Sequence, residues 1–353
     1  MAALAGGART PAPEFEGGLE VSEPPHGIDV VGDLHGQLGA LGALGRTLGY
    51  DVDGEWTHPE GRKLIFIGDL IDRGPASLEV AQRVHTLWSR GDAVCLMGNH
   101  ELNLVEWRHG RAAPKHSNVP TLEDVERRPE VWQPLLDFFE TLPLAIETDT
   151  LRITHAVWNR GCVRTLEPAL RAPDPSHPPH PDWVEPWVRL HSPYRHGEFR
   201  EGVPREPFVD ETCGPQKEPA LEILLKGHEM DSPEPFTDND GRSRHRIRAE
   251  WWREGHPEVP QDRRIVFGHY WNMPPLPGRH EGFVSPHPSG HPKLRAWFDA
   301  HHAAVPRTGS VSVPAAVRAV CIDYNGVVRA RGGRPCAGAY RHPEGEVVWA
   351  VAD

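Results

Sequence analysis

Leu64-Ile65-Phe66-Ile67-Gly68-Asp69-Leu70-Ile71-Asp72-Arg73-Gly74 joins an apolar run, too short for a typical helix, to a turn carrying two aspartates and an arginine between glycines. A short run of large and β-branched residues that stops at a glycine reads as a buried strand. The same grammar occurs twice more. Ile28-Asp29-Val30-Val31 leads into Gly32-Asp33-Leu34-His35-Gly36, and Ala93-Val94-Cys95-Leu96-Met97 leads into Gly98-Asn99-His100-Glu101. Helical spacing follows the first two turns, near 37–48 and 75–88, with Pro75 suited to a first helical turn, and a third helix is expected to begin near Glu101. Strand alternating with helix predicts a parallel-rich α/β sheet. The C-terminal ends of parallel strands share one edge, so the three polar turns should meet in space. Their glycines permit tight bends, and Asp, Asn and His together suit a divalent ion of intermediate hardness such as Mn, Fe or Zn.

The rest of the chain sets the bounds. It has 353 residues, 38 Lys+Arg against 50 Asp+Glu, a formal charge of −12 and 38% hydrophobic residues. That is enough chain for a large core, and the composition is that of a globular protein. Net acidity disfavours a protein devoted to coating DNA or an anionic membrane. The five cysteines, Cys95, Cys162, Cys213, Cys321 and Cys336, are scattered with no CxxC spacing, which predicts no disulfide framework, no cysteine zinc site and a reducing compartment. The first residues lack the basic and apolar regions of a signal peptide, and no stretch is long and apolar enough to span a bilayer. A cytoplasmic location without membrane attachment is the expectation.

Residues 1–25 read as a flexible leader, and 26–353 as one catalytic α/β unit interrupted by a long irregular insertion between about 156 and 263. Helical spacing returns over 129–141, followed by strand-like 144–147 and 151–154. Prolines 173, 175, 178, 179, 181 and 186 oppose regular structure over 172–187. Further strands are expected at 221–225, 244–251, 264–267, 317–322 and 346–351. There is no internal repeat.

GDLHG, GDLIDRG and GNHE, in that order and each after a strand, resemble the signature of the calcineurin-like metallophosphoesterases. The narrower resemblance is to the branch with phosphoprotein phosphatases and symmetrical diadenosine tetraphosphatases. It is strongest over 28–106 and resumes more weakly at Thr154-His155-Ala156, Phe267-Gly268-His269-Tyr270 and Cys321-Ile322-Asp323-Tyr324. The resemblance implies a metallophosphoesterase-type α/β/β/α sandwich and two divalent metal ions, with Mn favoured and Fe or Zn as alternatives. It implies Asp33 and His35 on the first ion, Asp69 bridging both, and Asn99, His155 and a last histidine on the second. His100 would protonate the leaving oxygen, Asp72 would orient it, and Arg73 would grip phosphate. Two departures stand out. Relatives have His-Gly-Gly or His-Ala-Gly where this chain has His155-Ala156-Val157-Trp158. The last ligand is His269 on the aromatic that follows it, with His228 in Lys226-Gly227-His228-Glu229 left open because its spacing from His155 resembles that of protein phosphatases.

Within the insertion, Arg242, Arg244, Arg246 and Arg248 recur at every second residue. On a strand they form either a comb for phosphate or the solvated face of an edge strand. Arg244, Arg246, Arg248 and Tyr270 are the candidate substrate contacts. Asp238-Asn239-Asp240-Gly241 fails the calcium-loop pattern and reads as a hairpin turn. Trp251, Trp252 and Trp271 could be core residues or stack on a base. The expected function is metal-dependent hydrolysis of a phosphoester or phosphoanhydride, in a phosphorylated small molecule such as a dinucleoside polyphosphate or in a phosphoprotein. The alternatives are a non-catalytic phosphate-binding scaffold and a nucleic-acid end-processing phosphatase.

Overall fold

The three signature runs form strands β1 (Ile28–Val31), β2 (Lys63–Phe66) and β3 (Ala93–Cys95), paired in parallel in that order. The structure is a computed structural model that describes residues 26–114, 118–171, 180–194, 212–213, 218–237, 243–253, 256, 258–259, 262–275, 283–284, 292–325 and 332–352. The expected leader over 1–25, Arg242 and the 238–241 turn lie outside these residues.

Helices α1 (Leu38–Leu48) and α2 (Ser77–Ser89) carry the chain from β1 to β2 and from β2 to β3. α1 stops where Gly49 turns left-handed (φ 96°) and returns its N–H to Arg46 O, a conformation that costs glycine least. After α3 (Asn99–Arg108), α4 (Val119–Arg127) and α5 (Pro129–Thr141) the chain enters a second sheet through β4 (Ala145–Glu147) and β5 (Leu151–Thr154). The expected insertion follows. It holds α6 (Arg160–Leu170), β6 (Val188–Leu190), the short pair β7 (Thr212–Cys213) and β8 (Glu218–Pro219), α7 (Ala220–Lys226), and a hairpin of β9 (Glu229–Thr237) and β10 (Ser243–Arg248). Then come β11 (Arg264–Phe267), α8 (Pro292–His301), β12 (Thr308–Ser312), β13 (Ala319–Cys321), β14 (Cys336–His342) and β15 (Glu346–Val351).

Two sheets result, one ordered β12-β15-β14-β1-β2-β3 and the other β13-β11-β5-β4-β6. Alternation along the strands builds the layers. Ile28, Val30, Ile65, Ile67, Val94 and Leu96 of the first sheet share one buried cluster with Ile146, Leu151, Ile153, Val266, Val320 and Ile322 of the second. The intervening residues, Leu64, Phe66, Ala93 and Cys95 on one side and Ala145, Ile265 and Phe267 on the other, join the cluster that holds the helix residues Leu41, Leu44, Val84, Leu87, Leu166 and Leu224. Two faces per strand, one towards the other sheet and one towards helices, give an α/β/β/α sandwich.

Four expectations need correction. The first sheet is mixed, because β14 pairs antiparallel with β1. The insertion is irregular only in part: β6 is the edge strand of the second sheet, and α6 and α7 contribute Leu166, Leu170, Leu221 and Leu224 to the core. Residues 221–225 are helical, with Lys226 Nζ paired to Glu222 Oε1 at 2.9 Å one turn away while the apolar residues are buried. A five-residue apolar run has no period that separates strand from buried helix. Finally, Cys162 is disulfide-bonded while Cys95, Cys321 and Cys336 are free and buried, so the cysteine pattern does not place the chain in a reducing compartment. Among the described residues no helix is long and apolar enough to cross a membrane.

Candidate metal centre

The ends of β1, β2 and β3 are tied to one another by backbone. Leu34 and His35 both donate N–H to Asp69 O, at 3.1 and 2.8 Å, and Gly36 donates to Leu70 O at 2.7 Å. A Cβ at Gly98 would lie 2.2 Å from Asp69 N, so only glycine lets the second and third loops touch. Among the described residues, His35, Asp69, Asp72, Arg73 and His269 are five of the six non-glycine residues at positive φ (44° to 71°), the sixth being Trp56. Each such conformation costs about 1–3 kcal/mol. Strain concentrated at the predicted ligands and their neighbours is characteristic of a site that the surrounding fold overdetermines.

Asp69 is the centre. Its Oδ2 is 3.4 Å from His35 Nε2 and 3.9 Å from His100 Nε2, and its Oδ1 is 3.5 Å from His155 Nε2. Two groups could hold a metal ion, His35-Asp69-His100 and Asp69-His155-His269, and they share this carboxylate. Asn99 Oδ1 is 3.3 Å from His155 Nε2. Asp33 joins from β1: the backbone N–H of His269 donates to both of its oxygens, at 3.2 and 3.1 Å, and a Cβ on Gly268 would collide with Asp33 Oδ1 at 2.0 Å. Carbonyls fix two of the rings. His35 Nδ1 lies 3.0 Å from Ile71 O and His155 Nδ1 2.8 Å from Ile67 O, so Nδ1 carries the hydrogen and Nε2 offers its lone pair to the site. His100 Nδ1 sits 2.5 Å from Asp72 Oδ2, both buried.

Protonation states follow from the surroundings. Burial holds His35 and His155 below the usual imidazole range, helped at His35 by the Arg73 guanidinium. Desolvation and then Arg248 do the same for His269. Burial pushes Asp69 upward, but His155, His100, His35 and Arg73 together outweigh it and keep its carboxyl well below the ordinary value. Asp33 is raised by burial, then by Asp323 and Asp69. Neutral imidazoles around clustered carboxylates are donors suited to a cation. Arginines stand at both ends: Arg73 Nη1 is 2.7 Å from His35 Nε2, and Arg248 Nη1 contacts His269 Nε2. The oxygen and imidazole donors fit a divalent ion of intermediate hardness.

The structure gathers Asp33, His35, Asp69, Asp72, Arg73, Asn99, His100, His155 and His269 at this edge. His228 belongs to neither of the two histidine groups, and its Nε2 lies 2.9 Å from Asn159 Nδ2. Of the arginine comb, Arg248 reaches the cluster, whereas Arg244 is paired with Glu229 Oε1 at 3.1 Å and Arg246 donates to Glu229 O at 2.7 Å, after a register shift in the hairpin between Arg244 and Arg246. Tyr270 is fully buried, with its ring against Trp252, Phe267 and His269 and its hydroxyl under Gly227. Trp251 and Trp252 are likewise buried, while Arg73 lies over the Trp271 ring at 5.7 Å. Sequence reasoning overlooked Glu101. Its carboxylate accepts N–H from Asp69 (2.7 Å), Leu70 (2.9 Å) and Gly98 (3.1 Å), clamping the second and third loops. Its signals were its place in GNHE and an acidic residue in the first helical turn, which also describes an ordinary capping box.

The stacked sheets thus carry one carboxylate shared by two histidine groups, each of which could hold a metal ion. The profile of the calcineurin-like phosphoesterase family matches residues 27–228, more than half of the chain, and the chain belongs to that family. Among curated proteins it is similar to bis(5'-nucleosyl)-tetraphosphatase PrpE [asymmetrical] of Halalkalibacterium halodurans, 38% identical over 138 residues, 36% of this chain and 56% of that protein. The Bacillus subtilis protein of the same name is 32% identical over 137 residues, 36% of this chain and 56% of the relative. The chain thus spans little more than half the length of the curated relatives it matches. Among solved structures it is loosely similar to a putative diadenosine tetraphosphatase, at 15% identity and TM-score 0.41 over 94% of this chain and 96% of the other. It is also loosely similar to a serine/threonine phosphatase from Saccharomyces cerevisiae, at 15% identity and TM-score 0.40 over 92% and 80%.

Proposed function

We propose that the chain is a metal-dependent phosphohydrolase that uses two divalent cations, Mn favoured, to cleave a phosphoester or phosphoanhydride without a covalent phosphoenzyme. The observation that carries this is Asp69, whose two carboxylate oxygens face different groups of histidines. Asp33, His35 and Asp69 would hold the first cation, and Asp69, Asn99, His155 and His269 the second. When bound, such a pair supplies water acidified enough to act near neutral pH and positive charge for the phosphoryl oxygens.

The chain's own groups do the rest. His100, clamped by Asp72 through Nδ1, would deliver a proton from Nε2 to the departing oxygen, with Asp72 fixing the ring. Arg73 offers a planar fork of donors to the phosphate, and Arg248 approaches from the hairpin at the opposite end of the cluster. Glu101 keeps the loops in register.

For the substrate, the names of the relatives support a nucleoside polyphosphate, and the Arg73–Trp271 pair beside the cluster is compatible with a flat base. A phosphoserine or phosphothreonine protein is the second reading, favoured by the His100–Asp72 pair. We propose a cytoplasmic setting. The test is purified full-length protein with Mn²⁺, offered diadenosine tetraphosphate, a phosphoserine peptide and an aryl phosphate. Turnover of the first with little of the second is expected; inertness towards all three with Mn²⁺ bound would refute the hydrolase reading and favour a scaffold.

A further inference from the structure

One more carboxylate reaches the same edge of the fold. Asp323 lies just past β13 and is fully buried. Its stretch runs against the end of β1 so closely that a Cβ on Gly32 would sit 2.1 Å from Ile322 O. Asp323 is held from several directions. Its Oδ1 accepts the backbone and side-chain N–H groups of Asn325, each at 3.0 Å, and the same Asn325 amide donates to Asp33 O at 2.8 Å. Its carbonyl takes the N–H of Asn272, three residues beyond His269, at 2.8 Å. Asp323 therefore links the first-loop aspartate to the segment that carries the last histidine.

The other oxygen, Oδ2, is buried and accepts no hydrogen bond. A buried carboxylate oxygen without a donor is costly and calls for an explanation. Its charged surroundings include Asp33 and Asp69, which repel it, and Arg73, which attracts it. A third carboxylate beside two others, fixed on one oxygen and bare on the other, is an arrangement that a cation would neutralise.

We infer that Asp323 is a third carboxylate of the first cation position, alongside Asp33 and Asp69, with Oδ2 the acceptor for the ion or for a water of its hydration shell. This rests on the two-cation reading above. It makes the two positions unequal. The first is surrounded by Asp33, Asp69 and Asp323, whereas the second has Asp69 with the neutral donors Asn99, His155 and His269. The first equivalent of Mn²⁺ should bind more tightly, and Asp323 supplies one of the two carboxylates by which the positions differ.

The experiment is calorimetric titration of full-length, metal-stripped protein with Mn²⁺, comparing wild type with Asp323→Asn, together with thermal unfolding with and without Mn²⁺. Asparagine retains an oxygen for Asn325 and removes the charge. The expected result is a first equivalent weakened about 10- to 100-fold, with the second nearly unchanged. The metal-free variant should melt at or above the wild-type temperature, because like charges have been separated, while its Mn²⁺-induced rise shrinks. A purely structural residue would do the opposite: a lower metal-free melting temperature and an undiminished Mn²⁺ effect. That outcome would overturn the inference, as would unchanged affinity accompanied only by a raised KM, which would make Asp323 an anchor for Arg73. If the variant does not fold, a crystal structure of wild-type protein with Mn²⁺ decides: Oδ2 bonded to the ion or to its water supports the assignment, and Oδ2 engaged elsewhere removes it. Wild-type protein that takes up no Mn²⁺ would instead defeat the hydrolase proposal itself.

Discussion

The carboxylate of Glu101 accepts the backbone N–H of Asp69 at 2.7 Å, across 31 intervening residues of sequence, and through that bond the first turn of α3 holds Asp69 in its left-handed conformation. Two more N–H groups, of Leu70 and Gly98, end on the same carboxylate. Glu101→Ala leaves three buried donors without an acceptor, each costing about 1–3 kcal/mol. We expect a loss of roughly 3 kcal/mol or more in urea unfolding, together with weakened Mn²⁺ binding. Stability within a few tenths of a kcal/mol of wild type would contradict the clamp.

His100 and Asp72 form a proton-handling pair if the proposed chemistry holds. His100→Gln should cut kcat by about 10²–10⁴ on a substrate with a poor leaving group. On an aryl phosphate, whose leaving oxygen needs little protonation, the loss should be much smaller. Asp72→Asn should fall between wild type and His100→Gln. Equal losses on both substrates, read in parallel assays at matched metal content, would argue that His100 serves the cations rather than the leaving group.

The last histidine can be tested by metal analysis. His269 lies with Asp69 and His155, whereas His228 is turned to Asn159. His269→Ala should lose about one equivalent of Mn²⁺ in the purified protein, and His228→Ala should retain both. The reverse pattern would transfer the assignment to His228.

Steric substitution at Gly268 is a separate probe. A methyl there would meet two buried side-chain ends, Asp33 Oδ1 at 2.0 Å and Ile67 Cδ1 at 2.6 Å. Gly268→Ala should displace Asp33, weaken the first Mn²⁺ equivalent and lower activity by at least about 10-fold. Wild-type metal binding would mean that the Asp33–His269 contact is dispensable.

The histidines also set a pH dependence. His35, His155 and His269 are all held below the ordinary value of 6.5 in the folded chain, chiefly by desolvation. Below pH 6.5 the unfolded chain takes up protons that the folded chain refuses, so stability falls with acidification and is fully present above that pH. Each such histidine contributes a slope of up to about 1.4 kcal/mol per pH unit. In metal-free protein these histidines should favour unfolding from about pH 6.5 downwards, opposed by the raised carboxyls of Asp33 and Asp323, and apparent Mn²⁺ affinity should drop over the same range because protons compete for Nε2. An apparent Mn²⁺ affinity that stays flat from pH 7 to pH 5 would exclude these histidines as its donors.

Much of this molecule was legible in one dimension. The three apolar runs and their glycine-flanked turns are local features, and parallel pairing alone brings Asp33, Asp69 and Asn99 to one edge. Strands β11 and β15 fall on the segments their composition marks, because short β-branched runs bounded by turns carry their own signal. What the letters could not decide depends on partners far away in sequence. Residues 221–225 became helix because one face is buried while Glu222 and Lys226 pair on the other. Residues 188–190 became a sheet edge because β4 offered an unpaired side. Glu101 and Asp323 look like ordinary acids until the loops close around them. Hydrophobic period and turn chemistry are written along the chain, but which carboxylate caps a loop, which faces a cation and which arginine reaches the cluster are set by distances between strands, and those exist only after packing.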